Sequence, residues 1–87
     1  PEPLLLVEVL SPGNEVETRD NVWAYATIPS VEEILLVHST RVAAELLRRR
    51  PDRVWPADPD ELGPEDTLRL ESVDLTCPLA EVYAGTY

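Results

Sequence analysis

A carboxylate in apolar company is the first chemical signal in this chain. Glu8 interrupts Leu4-Leu5-Leu6-Val7-Glu8-Val9-Leu10, an otherwise apolar run of strand length closed by Ser11-Pro12-Gly13. A charge in such a run is costly unless it is paired, hydrogen-bonded, metal-bound or turned into a cleft. Two roles follow for Glu8: a metal ligand, or a carboxylate hydrogen-bonded to groups of a neighbouring helix. Asp20 and Asn21 belong to the helix expected beside that strand. They either complete a polar pocket with Glu8 or lie on a solvated helix face. Arg48-Arg49-Arg50 and Arg53 hold four of the seven cations. Arginine forks fit phosphate, but charges at a strand end also block edge pairing, and the second reading is adopted. His38 has no Cys or His at ligand spacing, which argues against zinc. Cys77 reads as a small core residue. The chain contains neither a Gly-rich phosphate loop nor a Gly-x-Ser-x-Gly elbow.

The elements that must position these residues follow from the apolar pattern. The run around Glu8 reads as a strand buried on both faces, at the centre of an α/β sheet. Asn14 and Glu17 have capping spacing, and the pattern predicts a helix over residues 15–27, stopped by Pro29. Val16, Arg19, Trp23 and Ala26 share one face of it, overlapped by Val22 and Tyr25. A second apolar strand is expected at Glu33–His38. Residues 41–50 have helix-forming composition, yet only Ser39-Thr40 separates them from that strand, which favours a hairpin partner. Residues 51–65 read as a loop with four prolines and five acids, in which Trp55 closes the edge of the core. Residues 67–73 alternate like a strand with one wet face. Residues 75–85 read as a closing short helix, with Pro78 at its first position and Gly85 past its end. Trp23, Tyr25 and Trp55 are assigned to the core rather than to base-stacking platforms.

Composition sets outer bounds. Eighty-seven residues allow one domain with a marginal core. The chain opens at Pro1, three residues before its best strand, as expected of a fragment or processed product. No apolar stretch approaches the roughly 18 residues of a membrane span, and no signal peptide is visible. One cysteine excludes an internal disulfide and suits a cytoplasmic setting. Seventeen acids against seven bases give a net charge of −10. Such a chain repels phosphate backbones unless its cations are gathered in one place. All seven bases are arginine; there is no lysine.

The order of elements, and Glu8 before a Ser-Pro turn, resembles the C-terminal half of the bacterial restriction endonuclease family of the Uma-two type. That family sits within the restriction-endonuclease-like superfamily of metal-dependent nucleases. Its hallmark is Pro-Asp, three apolar residues, then Glu-Val-Leu-Ser-Pro. Here the stretch reads Pro3-Leu4-Leu5-Leu6-Val7-Glu8-Val9-Leu10-Ser11-Pro12. The family also places a lysine four residues before a helical tyrosine, ahead of an apolar strand. The matching positions are Asn21, Tyr25 and Ile34-Leu35-Leu36-Val37. Pro78-Leu79-Ala80-Glu81-Val82-Tyr83 is similar to the family's closing segment.

The resemblance implies a partial restriction-endonuclease-like fold: α/β, with a mixed central sheet of about four strands and flanking helices, residues 1–87 forming one domain. It implies DNA phosphodiester hydrolysis, with two carboxylates holding Mg²⁺ and a lysine stabilising charge. Glu8 matches the strand carboxylate and would be the metal ligand. Asp is replaced by Leu4, and lysine by Asn21. Arg19 brings charge but stays protonated and is a poor base. Glu8, Asp20 and Asn21 are thus the candidate catalytic set of a degenerate centre. The alternatives are a non-catalytic interaction or oligomerisation module of the same fold, or an acidic regulator that contacts protein rather than DNA. A homodimer, or association with a missing N-terminal half, is the expected assembly.

Overall fold

Residues 2–84 are described by the computed structural model. They run in the order β1 (Leu5–Leu10), α1 (Glu15–Tyr25), β2 (Glu33–His38), β3 (Ala44–Arg48), β4 (Asp60–Leu62), β5 (Thr67–Leu70), β6 (Leu75–Pro78) and α2 (Leu79–Tyr83). A 3₁₀ turn, Glu71–Val73, separates β5 from β6. Strands β1 to β4 form one mixed sheet in that spatial order, with β1 parallel to β2 and the other pairs antiparallel. Strands β5 and β6 pair as a separate antiparallel hairpin. Among the described residues no helix is long and apolar enough to cross a membrane.

The sheet is covered differently on its two sides. On one, Leu10, Val22, Val31, Ile34 and Leu36 form a core under α1, joined by Leu6, Tyr25 and Trp55. On the other, Leu35, Val37, Ala44 and Leu46 pack against Leu68, Leu70, Leu79 and Tyr83 of the hairpin and α2, with Cys77 at the margin. β2 is therefore apolar on both faces, and each buried Leu or Ile there contributes about 1.5–3 kcal/mol.

β1 departs from its expected central place. Its one neighbour among the described residues is β2, so it stands at the end of the sheet order. Leu6 and Leu10 face α1, while Val7 and Val9 are 53% and 51% exposed on the opposite side. The hairpin and α2 pack over β2 and β3 and reach β1 at the half-buried Leu5, leaving Val7 and Val9 exposed. An apolar run shows that both faces suit burial, but not that the rest of the chain reaches both.

α1 follows its expected boundaries closely but not its expected face. Thr18 and Val22 are buried and Tyr25 is half-buried, whereas Val16 is 75% and Trp23 64% exposed. Trp23 is thus not a core residue. Two apolar stripes compete on this helix. Val22 packing into the sheet, together with bonds from Arg19 and Tyr25, selects the stripe that leaves Trp23 outside. Asn14 does not cap through its side chain either: its Oδ1 accepts from the Ser11 N–H (2.8 Å) and its Nδ2 donates to the Val9 carbonyl (3.3 Å). It fastens the strand exit instead, and Glu15 and Glu17 supply the negative charge a helix start favours.

The hairpin partner to β2 is present, joined to it by residues 39–43 rather than by two residues. Three later expectations change. The loop over residues 51–65 contains β4, paired with β3. Residues 71–73 leave the strand because the buried Glu33 carboxylate accepts the backbone N–H groups of Glu71 (3.3 Å) and Ser72 (2.7 Å). Residues 75–78 are a strand paired with β5, and Pro78 precedes the helix. Gly85 lies outside the described residues.

Candidate functional site

The register places three glutamates in one row. Glu8 of β1 lies opposite Leu36 of β2, Leu36 opposite Glu45 of β3, and Glu45 opposite Glu61 of β4. In-register partners point to the same face, so Glu8, Leu36 and Glu45 all rise on the side covered by α1. That helix supplies a different partner to each inner carboxylate.

Glu8 is half-buried and accepts the Tyr25 hydroxyl at 2.5 Å. That bond, and then burial and the carboxylate's charge, raise the Tyr25 phenol above its ordinary value of 10.0. Asp20 and Asn21 are both exposed, and among the described residues neither hydrogen bonds to Glu8. Asn21 precedes Tyr25 by one helical turn and so borders the same side. Asp20 is turned about 140° from Tyr25 around the helix axis. Of the three candidates, Glu8 stands in the fold's interior row, Asn21 at its rim and Asp20 outside it.

Glu45 is the residue that sequence reasoning missed. It is 8% exposed and takes both arms of the Arg19 guanidinium, Nη1 at 3.0 Å and Nη2 at 2.7 Å. His38 Nε2 stands 3.5 Å from its Oε2. Arg19 also donates to Glu15 one turn earlier. The Arg19 bond, acting against burial, holds the Glu45 carboxyl below its usual range. Ala44-Glu45-Leu46-Leu47 carries the same signal as Glu8, a lone acid in an apolar strand. Glu33 carries it too, at the start of β2. Burial pushes its carboxyl up, but donors from Ser72 and Arg48 outweigh that and hold it low. Its role is to lock the 3₁₀ turn to the sheet.

The clustered arginines are spent internally. Arg48 bonds Glu33 (3.0 Å) and the Arg69 carbonyl (2.7 Å). Arg49 lies over the Trp55 ring at 4.7 Å and donates to the carbonyls of Ala26 and Ile28. Trp55 Nε1 meets the same Ala26 carbonyl, so the pair closes the C-terminal end of α1. Arg50 bonds Asp52, and Arg53 grips Glu32 and the Pro29 carbonyl. These cations fasten β3 and the loop after it to the rest of the fold. They neither guard a free strand edge nor form a free phosphate-binding patch.

A divalent ion fits this donor set poorly. Among the described residues no group of three or more His, Cys, Asp and Glu side chains is placed to hold a metal. Glu8 is met by a hydroxyl and Glu45 by a guanidinium. Position 4 offers no remedy: four residues of extended chain span roughly 13 Å, too far for two carboxylates to share one ion bound at about 2.0–2.6 Å. A second ligand for Glu8 must come from another element.

The comparisons with known proteins agree with this architecture. An uncharacterized protein of Synechocystis, slr1290, is 34% identical over 84 residues, which make up 95% of this chain and 43% of that protein. The chain thus spans less than half the length of that relative. No solved structure matches it. The model of the Uma2 family, described as "Putative restriction endonuclease", matches residues 1–80. With the β1–α1–β2 unit, its interior glutamate and the mixed sheet around it in place, the chain belongs to the Uma2 family.

Proposed function

We propose that this chain carries the C-terminal half of a restriction-endonuclease-like scaffold with a degenerate centre, and that by itself it does not hydrolyse DNA. The observation that supports this is the state of the two inner carboxylates. Glu8 accepts a tyrosine hydroxyl, and Glu45 is neutralised by Arg19. Neither is left to hold Mg²⁺ with a second acid. Asn21, at the family's lysine position, brings no positive charge. Metal-assisted hydrolysis needs an ion held by several oxygens and a means of stabilising developing charge. Glu8 remains the residue that would join a metal site, with Asn21 of α1 and its neighbour Asp20 the further members of the candidate set. The setting we assign is cytoplasmic, and DNA is the partner the family reading offers.

Plasmid nicking in Mg²⁺ or Mn²⁺ tests the proposal, comparing the chain with Glu8→Ala. No nicking by either protein is the expected result. Nicking by the chain that disappears in Glu8→Ala would show a working centre and overturn it.

A specific observation also favours the interaction-module reading. Val7 and Val9 expose an apolar face on a strand with one neighbour among the described residues, and such surfaces associate. A second copy, or an N-terminal half of the same protein, would cover them. Sedimentation of the chain should show association; a stable, well-folded monomer at micromolar concentration would remove this reading.

A further inference from the structure

A second polar site lies outside the Glu8 reading. Ser11, Glu15, His38, Thr40 and Arg41, with Leu10 and Pro12, line a cleft of about 300 Å³. It opens where β1 and β2, the parallel pair, both end. In open α/β sheets the crevice beyond the carboxyl ends of parallel strands is the usual place for a ligand.

Three features give this cleft a chemical preference. The first is Arg41. Five of the seven arginines spend their guanidinium groups on carboxylates or carbonyls of the fold. Among the described residues Arg41 does not, and it is exposed at the cleft rim. The second is His38. Its ring is 15% exposed and stands 3.5 Å from the buried Glu45 carboxylate, so it is held in place at the cleft wall. The third is a set of hydroxyls, Ser11 and Thr40, that donate at short range. Glu15 is the one acid among the lining residues, and it is turned to Arg19 at 3.0 Å, a guanidinium it shares with Glu45.

The frame is also preset. The His38 N–H donates to the Ala43 carbonyl at 2.9 Å, closing the loop that carries Thr40 and Arg41. The buried Tyr83 hydroxyl reaches the carbonyls of both His38 and Ala43, at 2.8 and 2.9 Å. The Ser39 N–H donates to the Leu10 carbonyl at 2.9 Å, which ties the same loop to the end of β1. A guanidinium, an imidazole and two hydroxyls on a braced loop form a donor-rich cradle for a tetrahedral oxyanion.

We infer that the Arg41–His38 cleft binds a phosphate group, either free or carried by a nucleic acid. This does not depend on Glu8 being part of a nuclease, and plasmid nicking and phosphate binding fail or succeed separately. His38 is the one histidine in the chain, so its ring signals in an NMR spectrum need no assignment by mutation. Titration with inorganic phosphate, at constant ionic strength against chloride, should move the His38 ring signals saturably. Arg41→Gln, on an exposed side chain, should keep the amide spectrum of the core and weaken binding about tenfold, the loss expected for one charge-assisted hydrogen bond. A parallel titration with a 5′-phosphorylated tetranucleotide separates the two sources. Tighter binding than inorganic phosphate assigns a nucleic-acid end, weaker binding a free phosphate, and both uphold the site. No saturable response to either probe, or an equal response in Arg41→Gln, would overturn it.

Discussion

β1 and β3 flank the same strand, and each places a glutamate opposite Leu36, yet the two flanks are built differently. On the β3 side, Glu45 is buried and held by a guanidinium, with an imidazole alongside. On the β1 side, Glu8 is half-buried and meets a phenol, and on the reverse face of its strand Val7 and Val9 are exposed beyond the half-buried Leu5. One flank is closed by charge pairing and a covering hairpin. The other keeps a carboxylate bonded to a neutral hydroxyl, on a strand with one neighbour among the described residues. A closed flank suits stability, and an open one leaves room for a ligand or a further strand.

The largest expected effect falls on the residue both flanks share. Leu36 is 2% exposed between the two glutamates. Leu36→Ala should cost about 3 kcal/mol in denaturant unfolding, through lost burial and the cavity left behind. A loss under about 1 kcal/mol would mean the centre of the row collapses freely and the two flanks are not packed on a common core.

Next comes the charged flank. Arg19→Ala strands the Glu45 carboxylate and should destabilise by about 2 kcal/mol, below the 3–5 typical of buried pairs because Arg19 is 42% exposed. The pH dependence sharpens this. The Glu45 carboxyl is depressed below 4.5, so its contribution is complete above that pH and is lost as pH falls through the folded value. The wild type should therefore lose its advantage over Arg19→Ala in acid. A stability gap that persists undiminished into strong acid would assign the effect to Arg19 packing instead.

The neutral flank should respond at the other end of the pH scale. The Tyr25 phenol is raised above 10.0, chiefly by its bond to Glu8. In Glu8→Gln, ultraviolet titration should find one tyrosine moved back toward the ordinary value. Identical titration curves would show that the hydroxyl and carboxylate are not bonded in solution.

Smallest of all is the bare face. Val9→Thr should change the stability of the isolated chain by no more than about 0.5 kcal/mol, as for other surface changes. A larger loss at concentrations where the chain is monomeric would show that Val9 packs within the fold, and would erase half of the contrast between the flanks. A loss that appears with rising concentration would belong to the association proposed for this face.

Much of this was legible in the chain itself. The apolar runs at Leu5–Leu10 and Glu33–His38 mark their strands because few other elements tolerate such continuity. The Ser-Pro-Gly turn and Pro29 bracket α1 through local sterics, which need no distant contact. The lone acid at Glu8 signals a special environment on desolvation cost alone. Tertiary structure decided the rest, because it depends on which surfaces meet. How much of the second face of β1 is buried rests on how far the hairpin and α2 extend. Which stripe of α1 faces inward depends on Glu8 and Glu45 lying where Tyr25 and Arg19 can reach them, and that leaves Trp23 in solvent. The arginine cluster resembles a phosphate patch by composition and becomes a set of internal fasteners once Glu33, Trp55 and Glu32 stand beside it. The row of Glu8, Leu36 and Glu45 exists only through strand register, since 37 positions of sequence separate its two inner acids and only the sheet brings them to one face.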